Sequence, residues 1–404
     1  MPVTTARPAD LAPRHFQLRC ALAYGAAIAV NGIALPYFPV WLESLTFNEV
    51  EIGIVLAAPM ILRVIAAPLA GALADRIPER ANVLLWSGVL SLLTALALFV
   101  TEGFWPVLVV FGLQAAVFAP YVPVVESIAV TGVQRWGFQY GAMRVWGSIG
   151  FVVSTLLAGE LIGIWGGTVV PSALSIVFLL TIVAAYAAPR LGRAQPAGIS
   201  PEAGGGPSLL RRMDLHALMI GTSAVQASHG MFYAFSAIHW QQIGFSGGAI
   251  GMLWSAGVIA EILVFFAAGW LARRFSPWTL IRLGSAVAIA RWMLFPLPLG
   301  FWGYLALQCS HALTFAFVHI GVQHRLAETV GEDQASSTQG AYFFYNGALL
   351  ALSTFLSGLI YREYGLPSYM LMAVFAAIGL VGVVLAARIQ PQSAGSGGKT
   401  SEPS

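Results

Sequence analysis

Twelve stretches of this chain are apolar for about 20 residues each, the length an α-helix needs to cross a hydrocarbon layer roughly 30 Å thick. They are expected at 16–41, 52–74, 81–100, 106–130, 140–162, 168–188, 216–240, 248–271, 278–298, 302–324, 336–360 and 367–387. Inside a bilayer no water satisfies a bare amide, so a spanning segment of this length folds as a helix. Charge usage agrees. Only 9% of the 404 residues are charged, against about 25% in a soluble domain. The net charge of +3 is too small to suggest a nucleic-acid partner. Residues 1–15, with Pro2, Pro8 and Pro13, lack the short apolar core of a cleaved signal, so the first apolar stretch is expected to span and stay.

One long interruption divides the chain. Residues 189–215 hold Pro196, Pro201 and Gly204 to Gly206 together with Arg190, Arg193, Arg211 and Arg212, the composition of a flexible linker. The expected organisation is a tail at 1–15, a six-helix bundle at 16–188, the linker, a second six-helix bundle at 216–388, and a disordered tail at 389–404. Most basic residues sit at the tails and the even-numbered connections, for example Arg76, Arg135, Arg211, Arg273 and Arg325. The odd-numbered connections hold Arg362 and otherwise acids such as Glu43, Glu49 and Glu102. The positive-inside rule then places both termini and the linker in the cytoplasm.

Between the second and third apolar stretches lies Gly71-Ala-Leu-Ala-Asp75-Arg76-Ile-Pro78-Glu79-Arg80. The glycine permits close helix approach, and Asp75 can meet a helix N-terminus or a basic partner. This string resembles the signature loop of the major facilitator superfamily. The resemblance implies an all-α integral membrane fold of twelve transmembrane helices in two pseudo-symmetric six-helix bundles, with Gly71, Asp75, Arg76 and Arg80 as a gating loop. Gly269-Trp-Leu-Ala-Arg273-Arg274 looks like a worn copy of it in the second half. The same sequence offset carries Arg63 onto Glu261, as two related repeats would.

Ionisable side chains within the apolar stretches are the candidates for chemistry, since each costs roughly 2.5–3.5 kcal/mol near the bilayer centre. They are Arg63, Glu126, Arg144, Glu160, His229, Glu261, Arg291, His311 and His319. Helical rise puts Arg63, His229 and Glu261 near the midplane and makes Arg291 level with His311. Glu160, near a helix end, is expected to snorkel outward, and His239 and His324 to be interfacial. Structural ion pairs docking helices are the plain alternative for the rest. Cys20 and Cys309 are expected as buried small hydrophobes.

Val-Val-Glu126-Ser and Tyr140-Gly-Ala-Met-Arg144-Val-Trp146 resemble the sugar-binding acid and arginine of the lactose permease type. That resemblance also implies substrate and proton roles for Glu261, Arg291 and His311. It departs one turn after the histidine, where that type has an acid and this chain has Thr314. Longer strings, Gln226-Ala-Ser-His229-Gly-Met-Phe-Tyr233, Gly251-Met-Leu-Trp254 through Glu261, and Ser310-His311 through Phe315, are similar to the phenylpropionate permease group of the superfamily. This implies proton-coupled uptake of an aromatic acid over a substrate and proton pathway of Arg63, Glu126, Arg144, His229, Glu261, Arg291 and His311. Trp146, Trp254, Phe232, Tyr233, Phe315, Phe343 and Tyr345 offer flat walls for a ring.

Three transport readings compete: import of a small organic anion with protons, a sugar or nucleoside symporter working through Glu126 and Arg144, and a drug-exporting antiporter. The last commonly needs acids in the first helix, which offers only Asn31. No His-Glu-x-x-His, Gly-x-Ser-x-Gly or phosphate-cradling loop occurs, so an enzyme is not expected. Neither is a metal or cofactor. The expected partners are lipid, protons and a small-molecule substrate. The expected state is a monomer in a bacterial inner membrane.

Overall fold

The computed structural model describes residues 12–74, 76–192, 211–330 and 332–389. Asp75, most of the linker and both ends of the chain lie outside these residues, as does the side-chain environment around Gly71. The first half contains α1 (Phe16–Ser44), α2 (Glu49–Ala74), α3 (Arg80–Ala97), α4 (Phe104–Phe118), α5 (Tyr121–Trp136), α6 (Tyr140–Trp165) and α7 (Val170–Ala187). The second contains α8 (Met213–Ala227), α9 (Gly230–Gln242), α10 (Gly247–Phe266), α11 (Ala268–Arg274), α12 (Pro277–Leu294), α13 (Gly300–Cys309), α14 (Val318–Thr329), α15 (Glu332–Tyr364) and α16 (Tyr369–Ile389). A π-helical turn, Leu313–Phe317, interrupts the rod between α13 and α14. Such a turn widens the helix locally and often marks a functional position.

Nine helical stretches among the described residues are long and apolar enough to cross a membrane. The other three expected windows are helical as well but differ in character. The seventh breaks at Ser228–His229 into α8 and α9, the ninth is α12 with Arg282 and Arg291 in it, and the second is α2. The fold is an all-α, multi-pass membrane fold.

Small residues set the packing, as they must where lipid removes the hydrophobic drive between helices. In the first half α1 lies against α6 so closely that a methyl on Gly150 would sit 2.2 Å from the Gly25 carbonyl oxygen. Ser154 and Thr155 of α6 donate hydroxyl hydrogen bonds to the Ala29 and Gly32 carbonyls at 2.9 and 2.7 Å. Gly150→Val should therefore cost about 3 kcal/mol or more through overpacking. The expected result is a large drop in melting temperature of the detergent-purified protein. An unchanged melting curve would show that this contact can relax.

The halves meet through α1 with α9, α2 with α15, and α6 with α10. These meetings gather at the end carrying the odd-numbered connections. There a methyl on Gly247 would lie 2.1 Å from the Gly159 carbonyl oxygen, and Gln242 donates to Glu43 at 3.3 Å. At the opposite end the same helices part. Tyr140 at the start of α6 is exposed, and space is open around Gly141 and Gly340. The molecule is closed at one end and divided at the other.

The turn between α2 and α3 is anchored on the divided side. Arg80 is buried and donates to Ser127 Oγ at 2.8 Å, Thr131 Oγ1 at 3.1 Å and the Gly192 carbonyl at 3.3 Å. Glu79 caps α3 and also accepts from the Gly192 amide at 3.0 Å. Arg76 is exposed.

Candidate functional site

A cavity of about 310 Å3 lies between the halves. α1 lends Ile28, Asn31 and Leu35, and α6 lends Arg144, Ser148 and Phe151. Across from them stand Phe232 and Tyr233 of α9, Trp254 and Glu261 of α10, Gln308 of α13, then His311 and Phe315. Helix breaks lie beside this convergence. The Ser228–His229 break begins α9, which carries Phe232 and Tyr233, and the π-turn begins two residues after His311.

One wall is a hydrogen-bonded relay. Arg291 of α12, 1% exposed, donates from Nη1 to His311 Nδ1 at 3.0 Å and from Nη2 to Gln308 Oε1 at 2.9 Å. A guanidinium has only donors, so both assignments are forced. His311 must accept at Nδ1, which leaves its proton on Nε2, 3.7 Å from Glu261 Oε2. That is close but longer than a hydrogen bond. Among the described residues the Arg291 charge has no carboxylate in contact; the rings of Phe232 and Trp292 lie 5.1 and 4.7 Å from its Cζ, a cation–π setting.

His229 sits behind this wall, fully buried. Its Nδ1 donates to the Gln226 carbonyl at 3.1 Å, and its Nε2 lies 3.1 Å from Thr314 Oγ1. Its ring is 5.1 Å from that of His311. Thr314, the residue in place of the acid of the lactose permease type, thus links the π-turn to the break between α8 and α9.

The other wall carries Arg144. Its guanidinium lies over the Tyr24 ring, 5.6 Å from the centroid, and Nη1 occupies space that a methyl on Gly147 would contest at 2.8 Å. Among the described residues it has no hydrogen-bond or ion-pair partner. Glu126, its expected companion, is engaged elsewhere: Tyr24 donates to Oε2 at 2.6 Å, and the Tyr140 hydroxyl donates to Oε1.

The floor is aromatic. Phe232 and Trp254 lie with centroids 4.7 Å apart, and Tyr233 is 6.0 Å from Trp254. The buried donors Trp254 Nε1, Gln308 Nε2 and Arg291 Nε have no partner among the described residues. The polar lining includes Asn31, Arg144, Ser148, Gln308 and His311, and Glu261 is its only carboxylate among the described residues.

Arg144, Glu261, Arg291, His311 and His229 are thus brought together, with Glu126 one tyrosine away. Arg63 stands apart. It is exposed on α2, outside the cavity lining and without a hydrogen bond or ion pair among the described residues. Of the expected aromatic walls, Phe232, Tyr233, Trp254 and Phe315 line the cavity. Trp146 instead lines an apolar groove between α1, α6 and α7, Phe343 is exposed, and Tyr345 binds His216 Nδ1 at 3.0 Å. His239 is buried, with its Nε2 3.4 Å from the Tyr304 hydroxyl. Cys309 is exposed rather than buried, because α13 turns it away from its neighbours, while Cys20 is buried. Sequence reading missed Tyr24 and Gln308. A lone glutamine within an apolar run was the available signal for Gln308.

The MFS_1-like family model matches residues 19–372. The chain belongs to this family of major facilitator transporters; it is a multi-pass membrane transport protein rather than an enzyme, and a secondary transporter of small organic solutes. Among curated proteins it is 28% identical over 363 residues to the probable 3-phenylpropionic acid transporter of Escherichia coli strain K12, covering 88% of this chain and 94% of that one. It is 25% identical to the maltose permease of Geobacillus stearothermophilus, covering 88% and 91%. Its fold matches the nucleoside transporter NupG with a TM-score of 0.76 at 16% identity, over 93% of this chain and 100% of that one. It also matches a bacterial homolog of the human lysosomal transporter Spinster in an inward-facing, unoccupied conformation, with a TM-score of 0.73 at 15% identity over 95% and 98%.

Proposed function

We propose that this protein takes up a small aromatic carboxylate together with protons across a bacterial inner membrane, by alternating access. The observation that carries the reading is the cavity's chemistry: an arginine without a hydrogen-bond or ion-pair partner among the described residues, above an aromatic floor. An unpaired arginine favours an anion, and its fork matches a carboxylate in bidentate fashion. The flat floor of Phe232 and Trp254 suits a phenyl ring. The likeness to the probable 3-phenylpropionic acid transporter supports the same class. A sugar reading has less support, because both oxygens of Glu126 are already taken by tyrosine hydroxyls.

In this proposal twelve helices form two six-helix halves, 16–188 and 216–388, joined by the linker 189–215 with both termini cytoplasmic. The divided end is then cytoplasmic and the structure is inward-open. Substrate carboxylate sits on Arg144 and its ring on the floor, while Glu261 takes and gives the proton. Arg291 holds His311, and His311 orients the approach to Glu261. His229 and Thr314 brace that wall, and the Gly71–Arg80 turn gates the cytoplasmic end. Arg63 is given no direct substrate contact.

The test is uptake into proteoliposomes under an imposed pH gradient, with labelled 3-phenylpropionate, maltose and uridine compared. The expected result is gradient-driven accumulation of the phenylpropionate alone. Accumulation of maltose or uridine instead would replace the substrate class.

A further inference from the structure

Glu126 and Arg144 meet the same tyrosine, one at its hydroxyl and the other at its ring face. Tyr24 is fully buried, offers its ring face to the Arg144 guanidinium at 5.6 Å and its hydroxyl to Glu126 Oε2 at 2.6 Å. Tyr140, from the start of α6, supplies the other hydroxyl, to Oε1. Each carboxylate oxygen therefore has a charge-assisted hydrogen bond without recruiting the nearby arginine. In a cavity of low polarity, a carboxylate left bare next to a guanidinium would be expected to close on it.

We infer that Tyr24 and Tyr140 are specificity-determining residues: by occupying Glu126 they keep Arg144 free for the carboxylate of an incoming anion. This rests on the reading of Arg144 as the substrate-holding group. Without the two phenols, Glu126 acts as an internal substitute for the substrate carboxylate. The cavity then loses its anion preference, although no residue that contacts substrate has changed. Tyr24 does this from α1 and Tyr140 from the start of α6. The arrangement thus tells an anion from a neutral solute at the same arginine.

The experiment uses the full-length protein with Tyr24→Phe and Tyr140→Phe together, and the same pair with Glu126→Gln added. Arg144 reactivity toward phenylglyoxal, read by peptide mass spectrometry, needs no substrate and reports directly whether the guanidinium is free. The wild type should label. The double variant should label about tenfold more slowly, and Glu126→Gln should restore the rate, as expected for one hydrogen-bonded charge pair gained and lost. Binding of 3-phenylpropionate should follow the same order, weakened about tenfold and then recovered. Undiminished labelling in the double variant would overturn the inference. So would protection that persists after Glu126→Gln, since the phenols would then act through packing. The labelling order together with no phenylpropionate binding in any variant would keep the tyrosine role and remove the substrate reading.

Discussion

Arg144→Lys is expected to lower kcat/KM for aromatic carboxylate uptake by about a hundredfold, equivalent to about 3 kcal/mol. Among the described residues Arg144 is the one arginine lining the cavity and its guanidinium has no hydrogen-bond or ion-pair partner, whereas Arg291 stands behind the lining, donating to His311 and Gln308. Lysine keeps the charge but loses the planar fork and the stacking over Tyr24. Its ammonium also has freedom to swing toward Glu126, which sits on the same tyrosine. The loss should appear mainly in KM, because the group binds substrate rather than moving protons. Arg63→Lys, by contrast, should leave KM close to the wild-type value, as Arg63 does not line the cavity. Radiolabelled uptake kinetics on both variants, with membrane insertion checked in parallel, decide this. Equal kinetics for Arg144→Lys and wild type would move the carboxylate to Arg291.

The all-α, multi-pass character was legible because bilayer thickness acts on every span at once. Nine of the expected windows are helices long and apolar enough to cross, and the other three are helical but broken or more polar. The in-membrane charges were legible for a similar reason: Arg144, Glu261, Arg291 and His311 are costly where they stand, so they mark themselves. What sequence could not supply was their pairing. Resemblance gave Glu126 and Arg144 a shared substrate role, yet Glu126 is engaged by the hydroxyls of Tyr24 and Tyr140. Tyr24 belongs to a different helix, over a hundred positions from Glu126. Arg63 looked equivalent to the others by depth alone. Depth does not fix rotation about the helix axis, and α2 presents Val64 to α15 and Leu62 to Gly112 instead. The aromatics divided for the same reason. Trp146 and Arg144 are two residues apart on α6, so they face different sides of it. The helix break at Ser228 and the π-turn at Leu313–Phe317 leave little mark on an apolar run, although the first begins α9 with its Phe232 and the second starts two residues after His311.

Glu261→Gln is the second large effect, expected to abolish concentrative uptake while leaving exchange of substrate across the membrane intact. Thr314 stands where the lactose permease type has its acid, which leaves Glu261 as the one carboxylate lining the cavity among the described residues. Arg291 decides between it and His311. Because the guanidinium donates to Nδ1 at 3.0 Å, a second proton on His311 would bring N–H against N–H. Glu261 meets no such obstacle. It has no arginine within ion-pair distance among the described residues, and its nearest charged-group neighbour is the Nε2 side of His311 at 3.7 Å. It can accept a proton without breaking an existing pair and release it when alternating access changes its surroundings. Glutamine imitates the protonated form permanently, so the carrier should still reorient with substrate bound.

The most direct measurement is simultaneous recording of proton entry and labelled 3-phenylpropionate entry in proteoliposomes, for the wild type and for Glu261→Gln. In the wild type, protons should enter with the substrate and an inward proton gradient should drive accumulation. In Glu261→Gln, counterflow should persist while substrate-linked proton entry and accumulation both disappear. Full accumulation with undiminished proton entry in that variant would contradict the account and place the coupling proton elsewhere.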